Sequence, residues 1–261
     1  MIPSMNTRHL CVAIFVVWGS LLGSNGGVIV QAQSEVAVPR VPFVGCKSDG
    51  QMGPLKAPKE DAKKLAVPAE LINRLAYYRA EEGFGVLAPR GWHCFSTYGS
   101  NGGTLYVTPE PIDGAALLSS GWSGFAGQAI QVSVSVGDTS GRFEVARVIA
   151  RVFPDLMGFV KDVIAEGIEP AASFPVGPYP TDKLTYRSKK VVEFETPPNS
   201  KGLGTDSRLR VNASPIRGVA ILFGEEPSLV HASLRLPAGS ENLIQTIIGQ
   251  IEKEAAESDH Q

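Results

Sequence analysis

The stretch Arg217-Gly-Val-Ala-Ile-Leu-Phe-Gly-Glu-Glu-Pro-Ser-Leu-Val-His-Ala-Ser-Leu-Arg-Leu236 holds the key to the fold. Two apolar runs rich in Val, Ile and Leu flank Gly224-Glu-Glu-Pro-Ser228, and such runs around a short turn-forming segment read as a hairpin of antiparallel strands. Upstream, Lys190 to Thr196 adds another strand. Ala129 to Val136 sets Ile130, Val132, Val134 and Val136 against Gln131, Ser133 and Ser135, a strand with one buried and one polar face. Gly85 to Pro89 and Trp92 to Phe95, a turn at residues 99–103, and Thr104 to Thr108 give a second hairpin.

Helical spacing fills the gaps between these strands. Leu71, Ile72, Leu75 and Tyr78 share one helical face between Pro68 and Gly83, which predicts a helix over 68–82. Val145, Val148, Ile149 and Val152 predict another, stopped by Pro154, and Leu156, Phe159, Val160, Val163 and Ile164 a third, ending near Gly167. A proline-rich loop follows at 170–183, and a terminal helix over 240–256 carries Leu243, Ile244, Ile247, Ile248 and Ile251 as one stripe. Hairpin strands with helices inserted and appended predict an α+β fold, a single antiparallel sheet packed with helices. No linker divides two hydrophobic sets, so residues 68–261 read as one domain.

Residues 1–32 read as a cleaved signal peptide: Arg8 is basic, Cys11 to Gly23 is apolar but too short for a span, and Val30-Gln31-Ala32 fits a cleavage site before Gln33. An uncleaved N-terminal anchor is the competing reading of that segment. Nothing after it approaches the length of a transmembrane helix, which predicts an extracytoplasmic protein, periplasmic or secreted, with no membrane anchor. Cleavage takes only Arg8 among the charged groups and leaves 23 Lys+Arg against 26 Asp+Glu. Without clustered basic residues the chain does not read as a nucleic-acid binder.

Residues 33–67 are rich in Pro, Gly and Lys without periodicity and read as an extended arm over the domain. Cleavage also leaves Cys46 and Cys94 as the only cysteines, a predicted disulfide pinning that arm and worth about 4 kcal/mol by loop closure. Two free buried thiols is the plainer reading. A third takes Phe43-Val-Gly-Cys46 as a loose lipobox, but it lies far beyond the apolar segment.

The segments Pro42-Phe-Val-Gly-Cys-Lys-Ser-Asp-Gly50, Gly85-Val-Leu-Ala-Pro-Arg-Gly-Trp-His-Cys-Phe95, Tyr98-Gly-Ser-Asn-Gly102 and Gly202-Leu-Gly-Thr-Asp206 resemble those of uncharacterised exported bacterial proteins. More distantly, the order of "Pro-Arg-Gly-Trp", strand, helices, three strands and a terminal helix resembles the Mog1/PsbP-like layout. That likeness implies a largely non-enzymatic accessory or binding role and transfers no functional residue.

Catalytic motifs are thin. Gly121-Trp-Ser-Gly-Phe125 departs from a nucleophile elbow at its fifth position and lies in a stretch of small residues. A hydrolase built on Ser123 would need His231 or His93 as base and an acid such as Asp138, yet His231 falls inside a predicted strand and His93 beside Cys94. Glu193 and Glu195 alternate as charges on a solvated strand face do, and Gly202 and Gly204 match no phosphate loop. Two isolated histidines and a cysteine pair give no metal spacing, so neither metal nor cofactor is expected. Trp92, Phe95, Tyr98 and Tyr106 crowd around the loop at 99–103, and Trp122 lies in the later Gly-rich loop. They are either core or a recognition surface; in the second case Trp92, Tyr98, Asn101 and Trp122 form it. The expected function is an exported, non-enzymatic binding or accessory protein of the cell envelope, acting on an envelope protein or a small ligand; the alternative is a secreted serine hydrolase.

Overall fold

The computed structural model describes residues 40–112 and 114–259; the predicted signal peptide and the first residues of the arm lie outside the described residues. Strands β1 (Arg40–Val41), β2 (Phe43–Gly45), β3 (Lys47–Gly50) and β4 (Lys63–Lys64) come from the segment read as an arm. They precede β5 (Leu75–Arg79), β6 (Val86–Pro89), β7 (His93–Gly99), β8 (Gly102–Thr108), helix α1 (Gly114–Leu117) and β9 (Ala129–Ser135). Helices α2 (Arg142–Val152) and α3 (Met157–Ala165) follow, then β10 (Lys183–Tyr186), β11 (Val191–Thr196), β12 (Ile216–Phe223), β13 (Ser228–Arg235) and α4 (Glu241–Ser258).

The helices at 142–152, 157–165 and 241–258 and the hairpins β7–β8 and β12–β13 match the sequence expectation. The expectation of a single antiparallel sheet does not hold, because the described residues form three: an eight-stranded sheet in the order β10-β11-β12-β13-β9-β8-β7-β3, a three-stranded sheet β2-β5-β6, and the pair β1-β4. Two of the pairings between these strands are parallel, β3 on β7 and β2 on β5. Both involve the arm, whose polar, aperiodic sequence gives no strand signal but whose backbone completes the ladders.

The helix predicted over 68–82 is likewise corrected. Only a 3₁₀ turn forms, at Ala69–Leu71, and residues 75–79 are β5. Leu75, Ala76, Tyr77 and Tyr78 are all buried, the mark of a strand covered on both faces, and for so short an apolar run helical spacing is not decisive. The Tyr77 hydroxyl donates to Glu254 of α4 at 2.8 Å, and that of Tyr78 to the Pro89 carbonyl at 2.8 Å, so both polar ends are satisfied in place.

The large sheet is the middle of three layers. One face presents Leu105, Val107, Ile130, Val132, Val230 and Ala232 to the α4 stripe of Leu243, Ile247 and Ile251 and to the small sheet of β5 and β6. Burial of each Ile or Leu there contributes about 1.5–3 kcal/mol. On the opposite face Val192, Phe194, Ala220, Leu222 and Leu229 pack beneath Val145, Val148 and Ile149 of α2 and Val160 of α3. Cys46 and Cys94 are joined in a disulfide with Cα atoms 5.3 Å apart. The parallel register that sets Lys47 beside Phe95 brings the preceding residues, Cys46 and Cys94, together.

Candidate functional site

The polar residues of the large sheet fall into a cross-strand row. Thr97 of β7 faces Thr104 of β8, Thr104 faces Ser133 of β9, and Ser133 faces His231 of β13. Next to it runs Tyr106, Gln131 and Ser233. Because alternate residues point to opposite faces, all of these lie opposite α4, on the side that α2 and α3 cover only in part. The uncovered portion is a cavity of about 600 Å³, floored by the row and walled by the hairpin tip at 99–103, Phe143, Glu144 and Arg147 of α2, Glu169, and residues 206–208.

Its floor is hydrogen-bonded and uncharged. Thr104 Oγ1 donates to Ser133 Oγ at 3.1 Å and Gln131 Nε2 donates to the same oxygen at 2.8 Å, while Gln131 Oε1 accepts from the Arg208 amide at 2.7 Å. His231 is 5% exposed, meets Phe194 edge-on, and its Nε2 has no hydrogen-bond partner among the described residues. Burial holds its pKa down at about 4, so the ring is neutral near pH 7. Charge is confined to the wall, where Arg147 donates to Glu144 at 2.9 Å and to Glu169 at 2.8 Å. Burial keeps the Tyr106 hydroxyl above its ordinary pKa, against the lowering effect of Thr97, Arg208 and Thr104.

A Gly-rich loop closes one side. Phe125 donates its amide to the Arg208 carbonyl at 2.7 Å and accepts from the Arg210 amide at 2.9 Å. Gly124, at φ +97°, is where a Cβ would meet that Arg208 carbonyl at 2.4 Å, so only glycine lets the two segments approach. Arg235, 2% exposed, donates to the carbonyls of Gly127 at 3.1 Å, Phe125 and Arg210, tying the loop to β13. Trp122 then packs on Tyr106 and Phe125, with Arg208 over its ring, and with Ile112 and Leu117 lines a more apolar hollow of about 730 Å³.

The four residues singled out from the sequence therefore separate. Tyr98 and Asn101 line the polar cavity, and Trp122 lines the neighbouring hollow but touches Tyr106 of the cavity. Trp92 packs instead on the core of the α4 face. Thr104, Gln131 and Ser133 are not among the residues the sequence singles out; Gln131 and Ser133 read there as the polar face of β9.

The residues proposed for a hydrolase are not assembled. Ser123 is exposed and its Oγ accepts from Arg210 Nη1 at 3.2 Å; no hydrogen bond joins it to His93, also exposed, or to His231, and Asp138 is exposed. Glu193 pairs with Arg187, and Glu195 with Lys183 and Arg217. At Gly202 to Thr205 the amides a phosphate would need are taken, since Leu203 donates to Asp182 Oδ2 at 2.8 Å and Gly204 to Thr196 Oγ1 at 3.0 Å. A Cβ on Gly202 would lie 1.9 Å from the Asp182 carboxylate, which accounts for that glycine. Among the described residues no group of three or more His, Cys, Asp or Glu is arranged to hold a metal. No protein-family model, curated protein or solved structure matches the chain, so the likenesses to exported bacterial proteins and to the Mog1/PsbP-like layout rest on the sequence segments alone.

Proposed function

We propose that this chain is an exported, non-enzymatic protein of the cell envelope that binds a small ligand in the polar cavity of its large sheet. One observation carries the reading: a concave site of ligand size whose floor gathers the neutral hydrogen-bonding groups of Thr104, Gln131 and Ser133. Support for export comes from the Cys46–Cys94 bond, which forms and persists in oxidising compartments, and from the N-terminal apolar segment. Among the described residues no helix is long and apolar enough to cross a membrane.

The binding reading is tested by native mass spectrometry of the disulfide-bonded chain after incubation with a small-molecule extract of its host. An added mass that denaturation releases is expected; a spectrum of bare protein alone removes the reading. For export, the intact mass from the host should begin at Gln33 and gain two alkyl groups only after reduction. A mass that retains residues 1–32 overturns it.

A further inference from the structure

The segment clasped by the Gly-rich loop carries two arginines on one side. Leu209 bridges Phe125 in parallel register and is buried, so its chain neighbours Arg208 and Arg210 turn the other way, both exposed, with Cα atoms about 6–7 Å apart. Their backbone is fixed: the Arg208 amide donates to Gln131 Oε1, its carbonyl accepts from the Phe125 amide, and the Arg210 carbonyl accepts from Arg235. Their side chains are placed as well. The Arg208 guanidinium lies over the Trp122 ring, 5.7 Å from its centroid, and Arg210 Nη1 donates to Ser123 Oγ at 3.2 Å. Ser123 accepts that bond and keeps its own hydrogen to donate.

The charge of this region is uncompensated. Arg208, Arg210 and Lys201 line, with Ser123, a hollow of about 610 Å³, and none of the three pairs with a carboxylate among the described residues. Arg142, Arg147, Arg187 and Arg217, by contrast, each reach one. Arg235 adds a buried positive charge bonded to carbonyls of the same two segments. The acid of that lining, Asp206, accepts from the Tyr179 hydroxyl at 2.7 Å and interacts with Arg151, Glu144 and Asp182. An anion entering the hollow therefore meets cations that no internal carboxylate has claimed. A carboxylate, with two oxygens, fills one guanidinium fork. A phosphate monoester has three terminal oxygens and about two charges near pH 7, so it can accept from both arginines and from the Ser123 hydroxyl at once.

We propose that Arg208, Arg210 and Ser123, with Lys201 as a further cation of the lining, bind the phosphate group of a monoester, either a soluble phosphorylated compound or the headgroup of an anionic lipid. Ser123 donates one hydrogen bond and forms no covalent bond. The site borders the polar cavity, since Arg208 lines both, but does not depend on the ligand proposed there. The test titrates the disulfide-bonded, nitrogen-15-labelled chain, at constant ionic strength, with inorganic phosphate and glycerol phosphate, and with acetate and glycerol as probes that lack the phosphate. The backbone amides of Ser123, Arg208 and Arg210 and the arginine Nε–H signals are followed by NMR. A second arm sediments the chain with phosphatidylcholine vesicles that contain or lack phosphatidic acid.

The expected result is saturable shifts of those signals with at least one phosphate, and none with acetate or glycerol, or sedimentation only with vesicles that contain phosphatidic acid. Arg208→Gln and Arg210→Gln, each checked for an unchanged thermal melt, should weaken the binding about tenfold, the loss of one charge-assisted hydrogen bond. Lys183→Gln, outside the hollow, should bind as the parent does. The position of the shifts in the unmodified chain keeps the test decisive if an arginine variant does not fold. Shifts with the soluble phosphates and no sedimentation assign the site to a soluble monoester; sedimentation that both arginine variants lose assigns it to a lipid. No response in either arm overturns the site. So do equal shifts with acetate, or phosphate binding that survives both arginine substitutions.

Discussion

On β8, β9 and β13, the side chains Leu105, Val132 and Val230 meet α4 and the small sheet, whereas on the same strands, one residue along, Thr104, Ser133 and His231 turn to the other face and meet a cavity. Both faces are produced by the same period-two alternation. What separates them is cover: α4 lays an apolar stripe across one face, while α2 and α3 shield only the β11–β13 side of the other. On the α4 side of β11 the polar positions carry charge, Glu193 and Glu195, each in an ion pair. The face over β7, β8 and β9 carries hydroxyls and an amide instead, linked to one another. One face is packed to hold the fold; the other is the face on which the proposed ligand site lies.

That contrast predicts that stability resides on the packed face and pH sensitivity on the cavity face. The largest effect belongs to the cysteines, which sit on the α4 side. Replacing both with Ala should cost about 4 kcal/mol in urea unfolding, from the 48-residue separation they close. A cost under about 1 kcal/mol would mean that the arm is held by its ladders alone. Next, Ile247→Ala removes a fully buried α4 side chain and should cost about 3 kcal/mol, seen as a lower urea midpoint at constant slope.

His231 is the strongest test of the cavity face. Its folded pKa of about 4 lies below the ordinary 6.5, so above pH 6.5 neither folded nor unfolded chain carries the proton and the residue has no effect on pH dependence. As pH falls below 6.5 the unfolded chain takes a proton that the folded chain refuses. Stability is then lost down to about pH 4, by about 2 kcal/mol at pH 5. Unfolding curves at pH 7 and pH 5, for the parent and for His231→Phe, check this; equal losses in both proteins would assign the acid sensitivity elsewhere. Ser133→Ala should cost about 1 kcal/mol or less, because Thr104 and Gln131 can turn to water in the open cavity. Smallest of all, Lys183→Ala breaks an exposed pair with Glu195 and should change the midpoint by under about 0.5 kcal/mol. If Ser133→Ala cost as much as Ile247→Ala, the division between the faces would fail.

The strong periodic segments were legible from sequence because their pattern and their environment agree. The α4 stripe and the alternation of β9 each say what they pack against. The arm was not legible, since Lys47-Ser-Asp-Gly50 pairs through its backbone and its side chains carry no strand signature. β5 misled for the opposite reason: Leu75 to Tyr78 is apolar throughout, and such a run fits a helical face as readily as a doubly covered strand. For the site, Tyr98 and Asn101 could be named from a turn beside aromatics, but Thr104, Ser133 and His231 become one row only through the pairing of three strands distant in sequence. Gln131 and Ser133 read as an ordinary polar face because sequence does not reveal which faces a helix leaves open.

The disulfide also decides what the rim of the large sheet offers to other molecules. β3 is only four residues long, yet it pairs with β7 along Phe95 to Tyr98, and its own outer side is taken up by the bridge from Ser48 to Leu55. Cys46 fastens the start of that short strand. With the bond reduced, only the ladder and the hydrogen bonds of Gln51 and Gly53 keep β3 in place, and beneath it lies the hydrogen-bonding edge of a seven-residue strand carrying Phe95 and Tyr98, a template for pairing with a second chain. A bond that adds stability to one molecule thus also guards an edge at which two molecules can pair.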